Sequence, residues 1–327
     1  MGNEREEKYV NLKRPIDKIL FIEAVATIIN LVINIEHITD DWSCGTFGKV
    51  GGQQAQLFVL MAYFIIYYLT YYNKNIYNKK MIGRLVIAGI ILISTNSWTL
   101  LAMFLFGLTL SYIMTLNKKK IVFLISLMIL LPLLVHPIYS ALPNKITYVI
   151  NRMLSDQEYF NYRFHKAKVY EDTFIEIPSK NVKFLLLGNG LGYYNSRGAL
   201  ICTGKYVGFY NKLFDASISE YTKKYILDYL ELAYYHGGSD YGSVLARPYS
   251  SILALMGECG YLGCILFIWL IVEMLKGKKA GIKTLIITWL SFCLMENYFE
   301  YPKVILILYV CMLSMRKTYN IRQVKAL

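Results

Sequence analysis

The sequence is short of charge, of histidine and of metal-binding pattern. Charged residues make up 17% of its 327 positions, against about a quarter in an ordinary soluble domain. Only four histidines occur. The six cysteines show no Cys-x-x-Cys spacing, which removes the usual zinc and redox motifs. There is no internal repeat and no low-complexity stretch, so solenoids and tandem modules are excluded. No cleavable signal peptide is visible either. The first apolar stretch follows an acidic-basic segment and lacks a small-residue cleavage site.

What the chain has instead is apolar sequence in blocks. Hydrophobic residues reach 56%, above the 45–50% or so of soluble domains. Eight stretches read as spans, at roughly 19–35, 55–72, 81–95, 99–116, 121–141, 251–275, 283–297 and 303–315. A helix needs about 20 mostly apolar residues to cross a bilayer. The third, seventh and eighth stretches are shorter and suit tilted or re-entrant segments. The expected fold is an all-α polytopic membrane protein of about eight transmembrane helices.

Basic residues orient it, because positively charged loops stay in the cytoplasm. Arg5, Lys8, Lys13, Arg14 and Lys18 precede the first span. Lys74 to Arg84, Lys118 to Lys120, Lys276 to Lys283, and Arg316 to Lys325 mark alternate connections and the tail. The intervening short loops hold only Lys49 and Lys303. Both termini are therefore expected in the cytoplasm of a multi-pass plasma-membrane protein. The net charge of +13 is explained by these topology-holding residues and their contact with anionic lipid, with no need for nucleic acid.

Three regions follow: spans over 1–141, a large extracytoplasmic loop over 142–250, and spans with a cytoplasmic tail over 251–327. The loop carries 13 basic and 10 acidic residues. Helices are expected within it over 146–172 and 217–236. For the second, Ser217 and Glu220 form a capping box, and Gly237–Gly238 supply a left-handed stop. Cys44 and Cys202 both face outward and could pair or remain thiols.

Two motifs stand out. The first is Leu185-Leu186-Leu187-Gly188-Asn189-Gly190-Leu191-Gly192-Tyr193-Tyr194. Its glycines would let backbone amides approach an anion, or would serve a plain turn. No strand–helix unit surrounds it, so it is not a dinucleotide fingerprint. The second is Arg247-Pro248-Tyr249-Ser250-Ser251, opening a span that holds Gly257, Glu258, Gly260 and Gly263. Pro and Ser suit a helix start. The glycines share a face where another helix could pack. Glu258 lies about two turns inside apolar sequence, where a carboxylate must face the bundle interior or a wet cavity. It is either a site residue or a partner for an arginine or a backbone group.

These motifs, with Tyr162-Arg163-Phe164 before them, resemble the O-antigen ligase and O-antigen/capsule polymerase superfamily of bacterial envelope glycan assembly. Gly45-Thr46-Phe47-Gly48 leading to a span, and Ser94-Thr95-Asn96-Ser97 at an outer turn, agree loosely with it. The resemblance covers about 45–275. Tyr249 stands where many relatives have His. Five spans precede the loop where relatives usually have more, as in a short or N-terminally truncated member.

The resemblance implies a metal-independent membrane glycosyltransferase that needs no cofactor. Its substrates would be oligosaccharides on undecaprenyl diphosphate, outside the membrane. A flippase and a chain-length regulator are the pathway partners it implies. A polymerase of capsule, exopolysaccharide or O-antigen is the first reading. A ligase shares the chemistry, and a transporter or flippase of lipid-linked sugars is the competing class. No Asp-x-Asp is present to hold a metal-bound diphosphate. Arginine suits diphosphate through its planar fork. Arg163 and Arg247 match family positions, and Arg197 follows the Gly-rich segment; Gly188, Gly190 and Tyr193 join them as substrate-binding candidates. Candidate catalytic groups are Glu258, His165 and Tyr249, with Asp240 a further base. Tyr249 is a poor base at neutral pH, with a pKa of about 10, and suits sugar binding.

Overall fold

The computed structural model describes residues 13–33, 43–48, 53–71, 79–115, 151–152, 154–156, 165–202, 219–228 and 247–324. Among them every regular element is helical. The fifth expected span, 121–141, lies outside the described residues, as do Arg163, Asp240, Ser217 and Gly237–Gly238. The other seven expected spans all fall on helices. One of these, Ser251–Leu275, is long and apolar enough by itself to cross a membrane. Trp98–Met114, Ala280–Cys293 and Pro302–Met315 are shorter apolar helices.

The chain divides into two compact units. The first comprises Met1–Gly107, Lys278–Thr288 and Tyr301–Leu327. Its described helices are α1 (Lys13–Ile33), α2 (Gln53–Tyr71), α3 (Lys79–Ser94) and the first part of α4 (Trp98–Thr115). Helix α2 is central and packs against α3 and the last helix, Pro302–Val324. Nearly every residue from Leu57 to Tyr68 is buried. Phe58 meets Phe104 edge-on, and Tyr67 and Tyr68 meet at 5.3 Å between ring centroids.

Polar contacts in this unit sort into two levels. At one level Asp17 accepts from Tyr68 (2.8 Å) and Arg84 (2.7 Å), and the Ser314 and Tyr67 hydroxyls lie 3.1 Å apart. At the other, the Ser43 and Ser94 hydroxyls lie 2.8 Å apart, and Lys303 stands over the Phe47 ring. At that second level a short 3-10 turn, Gly45–Phe47, lies along α1. Glu23, 4% exposed, accepts from the Thr46 amide (2.9 Å) and hydroxyl. Asn30 donates to the Gly45 carbonyl at 2.9 Å. Cys44 is buried beside this turn.

The second unit comprises Leu108–Gly277 and Trp289–Glu300. It contains α5 (His165–Glu171), a wide turn Asp172–Glu176, α6 (Ile177–Lys180), α7 (Val182–Leu187) and α8 (Arg197–Cys202). Helix α9 (Glu220–Thr222) follows with its own wide turn, Lys223–Leu227. Then come α10 (Ser251–Leu275) and the end of α11 (Ala280–Cys293). The last helix, Pro302–Val324, is α12. The described segments of 165–202 and 219–228 thus belong to one unit with the head of α10 and the 294–300 turn. Its core joins Val169, Ile177, Phe184, Tyr194, Leu200, Tyr225, Tyr249 and Leu253.

Two local expectations are corrected. Helix α9 is capped by Ser219, whose hydroxyl accepts from the Thr222 amide, not by Ser217. Ser219 is extended (φ −62°, ψ 141°), as a capping residue must be. Helix α10 does start as expected, with Ser250 accepting from Ile252 and Leu253. It is not one regular rod, however: Gly260 has φ 64° and ψ −168°. The end of the short helix α7, at Leu186, packs on its glycine face, together with the non-helical chain that follows as far as Tyr194.

Candidate functional site

The Gly-rich motif and the Glu258 motif are two halves of one construction. A kink at Gly260 leaves carbonyls of the preceding turn without helical partners. The Asn189 amide donates to the Gly257 carbonyl (2.8 Å) and the Gly190 amide to the Glu258 carbonyl (3.1 Å). The backbones approach so closely that a Cβ on Gly188 would lie 2.5 Å from the Glu258 carbonyl carbon. A Cβ on Gly257 would overlap the Tyr194 ring. Glycine is required at these positions by contact, and Gly188 (φ 69°) and Gly190 (φ 100°) are left-handed as well.

Glu258 completes the construction. Its carboxylate accepts from the amides of Gly192 (2.8 Å) and Ser196 (3.1 Å), with Tyr194 at 3.4 Å. The amides of the Gly-rich segment do converge on an anion, and that anion is the chain's own side chain. Of the two readings of Glu258, the geometry favours partner to backbone groups. Tyr193 has a half-exposed ring, while its carbonyl accepts from Asn189 and Thr222.

A charged cluster sits beside this lock, where three segments meet the head of α10. The 294–300 turn is stitched to that head. The Ser251 amide and hydroxyl both donate to the Glu296 carbonyl at 3.1 Å, and the Ser250 hydroxyl donates to the Cys293 carbonyl at 3.0 Å. Tyr170 donates to the Leu294 carbonyl and lies 2.7 Å from the Ser250 hydroxyl. Asn195 donates to the Pro248 carbonyl, and Asn297 to the Asn195 carbonyl. Glu300 accepts from the Arg197 amide at 2.7 Å and so caps α8.

Into this frame project Lys166, Arg197, Arg247 and Glu296. Lys166 is 2% exposed and donates to the Met295 carbonyl. Burial pulls its ammonium down to about 8, with Glu296 opposing and Arg247 adding to the fall. Burial raises the Glu296 carboxyl above the ordinary range, against the pull of Lys166, Arg247, the Asn297 amide and Arg197. Glu300 is likewise raised by burial. Three cations therefore act on Glu296 and one of them, Arg197, on Glu300, and burial makes both carboxyls harder to ionise than usual.

Arg197 and Arg247, expected to share a ligand, both pull electrostatically on Glu296. Arg163 lies outside the described residues. Tyr249 is buried in the loop core beside Leu253 and Tyr194, so a sugar would reach it only if that packing opened. His165 opens α5, and burial pulls its imidazole down to about 4, leaving it neutral at pH 7. Lys166, Glu296 and Glu300 were not among the expected site residues. Glu296 had been placed inside the seventh span, but α11 ends at Cys293. The signal for it was Glu296-Asn297-x-x-Glu300 directly after an apolar helix in a charge-poor chain. Among the described residues no three His, Cys, Asp or Glu side chains converge as a metal site. No protein-family model, no curated protein and no solved structure matches this chain.

Proposed function

We propose that this chain is a glycosyltransferase of the outer face of the plasma membrane, a polymerase joining undecaprenyl-diphosphate-linked oligosaccharide repeats. The observation that carries the reading is the convergence of Arg197, Arg247 and Lys166 at the head of α10. Under this reading the helices are eight spans with both termini in the cytoplasm. The two polar levels of the first unit support it. Asp17, Tyr68 and Arg84 come from expected inner ends, and Ser43, Ser94, Phe47 and Lys303 from expected outer positions. Large apolar side chains stand exposed along α1, α3 and α10, among them Phe21, Ile93, Ile268 and Trp269. Lipid would cover them.

In the reaction an acceptor hydroxyl attacks the anomeric carbon of the donor. A new C–O bond forms as the bond from that carbon to the diphosphate oxygen breaks. Negative charge grows on the departing lipid diphosphate. Arg197, Arg247 and Lys166 stabilise it, since fixed donors aimed at developing charge are the strongest catalytic device available. Arg163 joins them by its position in the motif. Glu296, raised and lodged among these cations, takes the hydroxyl proton. Glu258 does not, because its oxygens are held by backbone amides.

The test is gene deletion with surface glycan resolved on gels, then complementation. Loss of a polymerase leaves single repeat units; loss of a ligase leaves long chains on the lipid carrier; loss of a flippase leaves neither outside. Arg197→Ala with Arg247→Ala should fail to complement while accumulating to normal levels in the membrane. Normal polymer from that double variant would overturn the reading.

A further inference from the structure

Residues 182–192 descend along α10 and turn back beside it. The chain goes down through α7 to Leu186–Gly188, where a Cβ on Gly260 would lie 2.5 Å from the Leu186 carbonyl carbon. It then rises past Glu258 and Gly257 to Asn195, which bonds to Pro248. The apex therefore lies level with Gly260, nine residues below Ser251, or about 13 Å along the axis at 1.5 Å per residue.

That depth can be bounded. Helix α10 has 25 residues, about 37 Å against a hydrocarbon core of about 30 Å. If all the surplus stood outside, Gly260 would still lie roughly 6 Å beneath the boundary by the same spacing. Side chains at the apex fit hydrocarbon: Leu186, Leu187 and Leu191 are 44%, 57% and 79% exposed. Lys183 stands one turn up α7 from Leu187, where a long cationic side chain reaches water.

The hydrogen bonding fits too. Non-helical backbone survives at membrane depth only when its polar groups are satisfied by protein. Here the amides of Gly188, Asn189, Gly190, Gly192, Tyr193, Tyr194 and Ser196 all find acceptors, three of them on the Glu258 carboxylate. The Asn189 side chain donates to the Tyr193 carbonyl and the Ser219 hydroxyl.

We infer that residues 182–192, within the extracytoplasmic loop, are a re-entrant segment sunk in the outer leaflet, with Leu186, Leu187 and Leu191 bathed in acyl chains. The inference rests on α10 crossing the membrane. It is tested on full-length protein in lipid nanodiscs, with nitroxides attached one at a time at Leu187→Cys and Leu191→Cys. Ser179→Cys on the exposed face of α6 is the aqueous reference, and Ile268→Cys on α10 the lipid reference. Collision with oxygen, which concentrates in lipid, is compared with collision with a water-soluble nickel chelate. Positions 187 and 191 should match 268 and differ from 179. If they match 179 while 268 reports lipid, the re-entrant segment is wrong and the membrane reading stands. If 268 itself reports water, both fall. Unsubstituted protein gives a second measurement: a lipid-partitioning carbene reagent should modify residues 186–191, and an unmodified segment beside a modified α10 would overturn the proposal.

Discussion

Gly188 and Gly260 meet back to back, each with a left-handed φ (69° and 64°) and each without room for a Cβ against the other's strand of backbone. A methyl at either must both enter a conformation that costs about 1–2 kcal/mol for other residues and push two main chains apart, an overpacking of about 1–3 kcal/mol. Gly188→Ala and Gly260→Ala should each lower stability by about 3 kcal/mol. Gly192→Ala, with φ 76° but open space, should cost only the first part. Gly89→Ala, helical and in open space, should be neutral or slightly stabilising. Thermal unfolding in detergent ranks the four.

Glu258 distinguishes a lock from a base. Glu258→Ala strands three amides, each unsatisfied buried group costing about 1–3 kcal/mol, and should collapse the amount of folded protein. Glu258→Gln keeps one acceptor oxygen and should fold with reduced stability. Polymer formed per folded Gln variant should stay within a few-fold of the parent. A drop of 100-fold or more with unfolding unchanged would return Glu258 to the chemistry.

Much of this architecture is legible in the sequence, and its omissions have physical causes. The apolar blocks locate the helices because burial and lipid exposure both demand continuous apolar surface. Pro248 and Ser250 mark the start of α10 because capping is local. Two things escaped. The contact between residues 186–194 and 257–260 is long-range, so periodicity cannot show it; three glycines at three-residue spacing read equally well as a helix–helix face. The Glu296 cluster escaped because the apolar run continues almost to it. Glu258 reads as an isolated intramembrane acid, yet it accepts amides from the Gly-rich, non-helical segment.

Lys166 should set an alkaline limit on donor binding. Its ammonium, at about 8, is charged below that pH and loses its proton above it. Removing one positive charge from a partly desolvated diphosphate site costs on the order of 1.4 kcal/mol, about tenfold in affinity. The donor KM should therefore rise about fivefold between pH 7 and pH 9, approaching the tenfold limit only at higher pH. Lys166→Met should raise it at all pH and flatten that rise. Glu296→Gln removes the charge that helps keep Lys166 protonated, so the inflection should move to lower pH. It should also lower kcat by about 100-fold or more, as loss of a general base does. Steady-state rates against donor concentration across pH check both effects.

His165 should make the fold acid-sensitive. Burial holds it at about 4, whereas the unfolded chain titrates near 6.5. Between those values the unfolded state binds the proton and the folded state does not, so stability falls as pH drops through 6.5 and stops falling below about 4. At pH 5 the loss from this group is about 2 kcal/mol, from the 1.5-unit distance to the unfolded value. His165→Gln keeps a polar side chain of similar reach but cannot take up the proton. The gap in unfolding temperature between pH 7 and pH 5 should shrink in that variant, while activity at pH 7 stays close to that of the parent. An unchanged gap would mean the imidazole is already free to ionise in the folded protein, and that α5 opens where it meets the loop core.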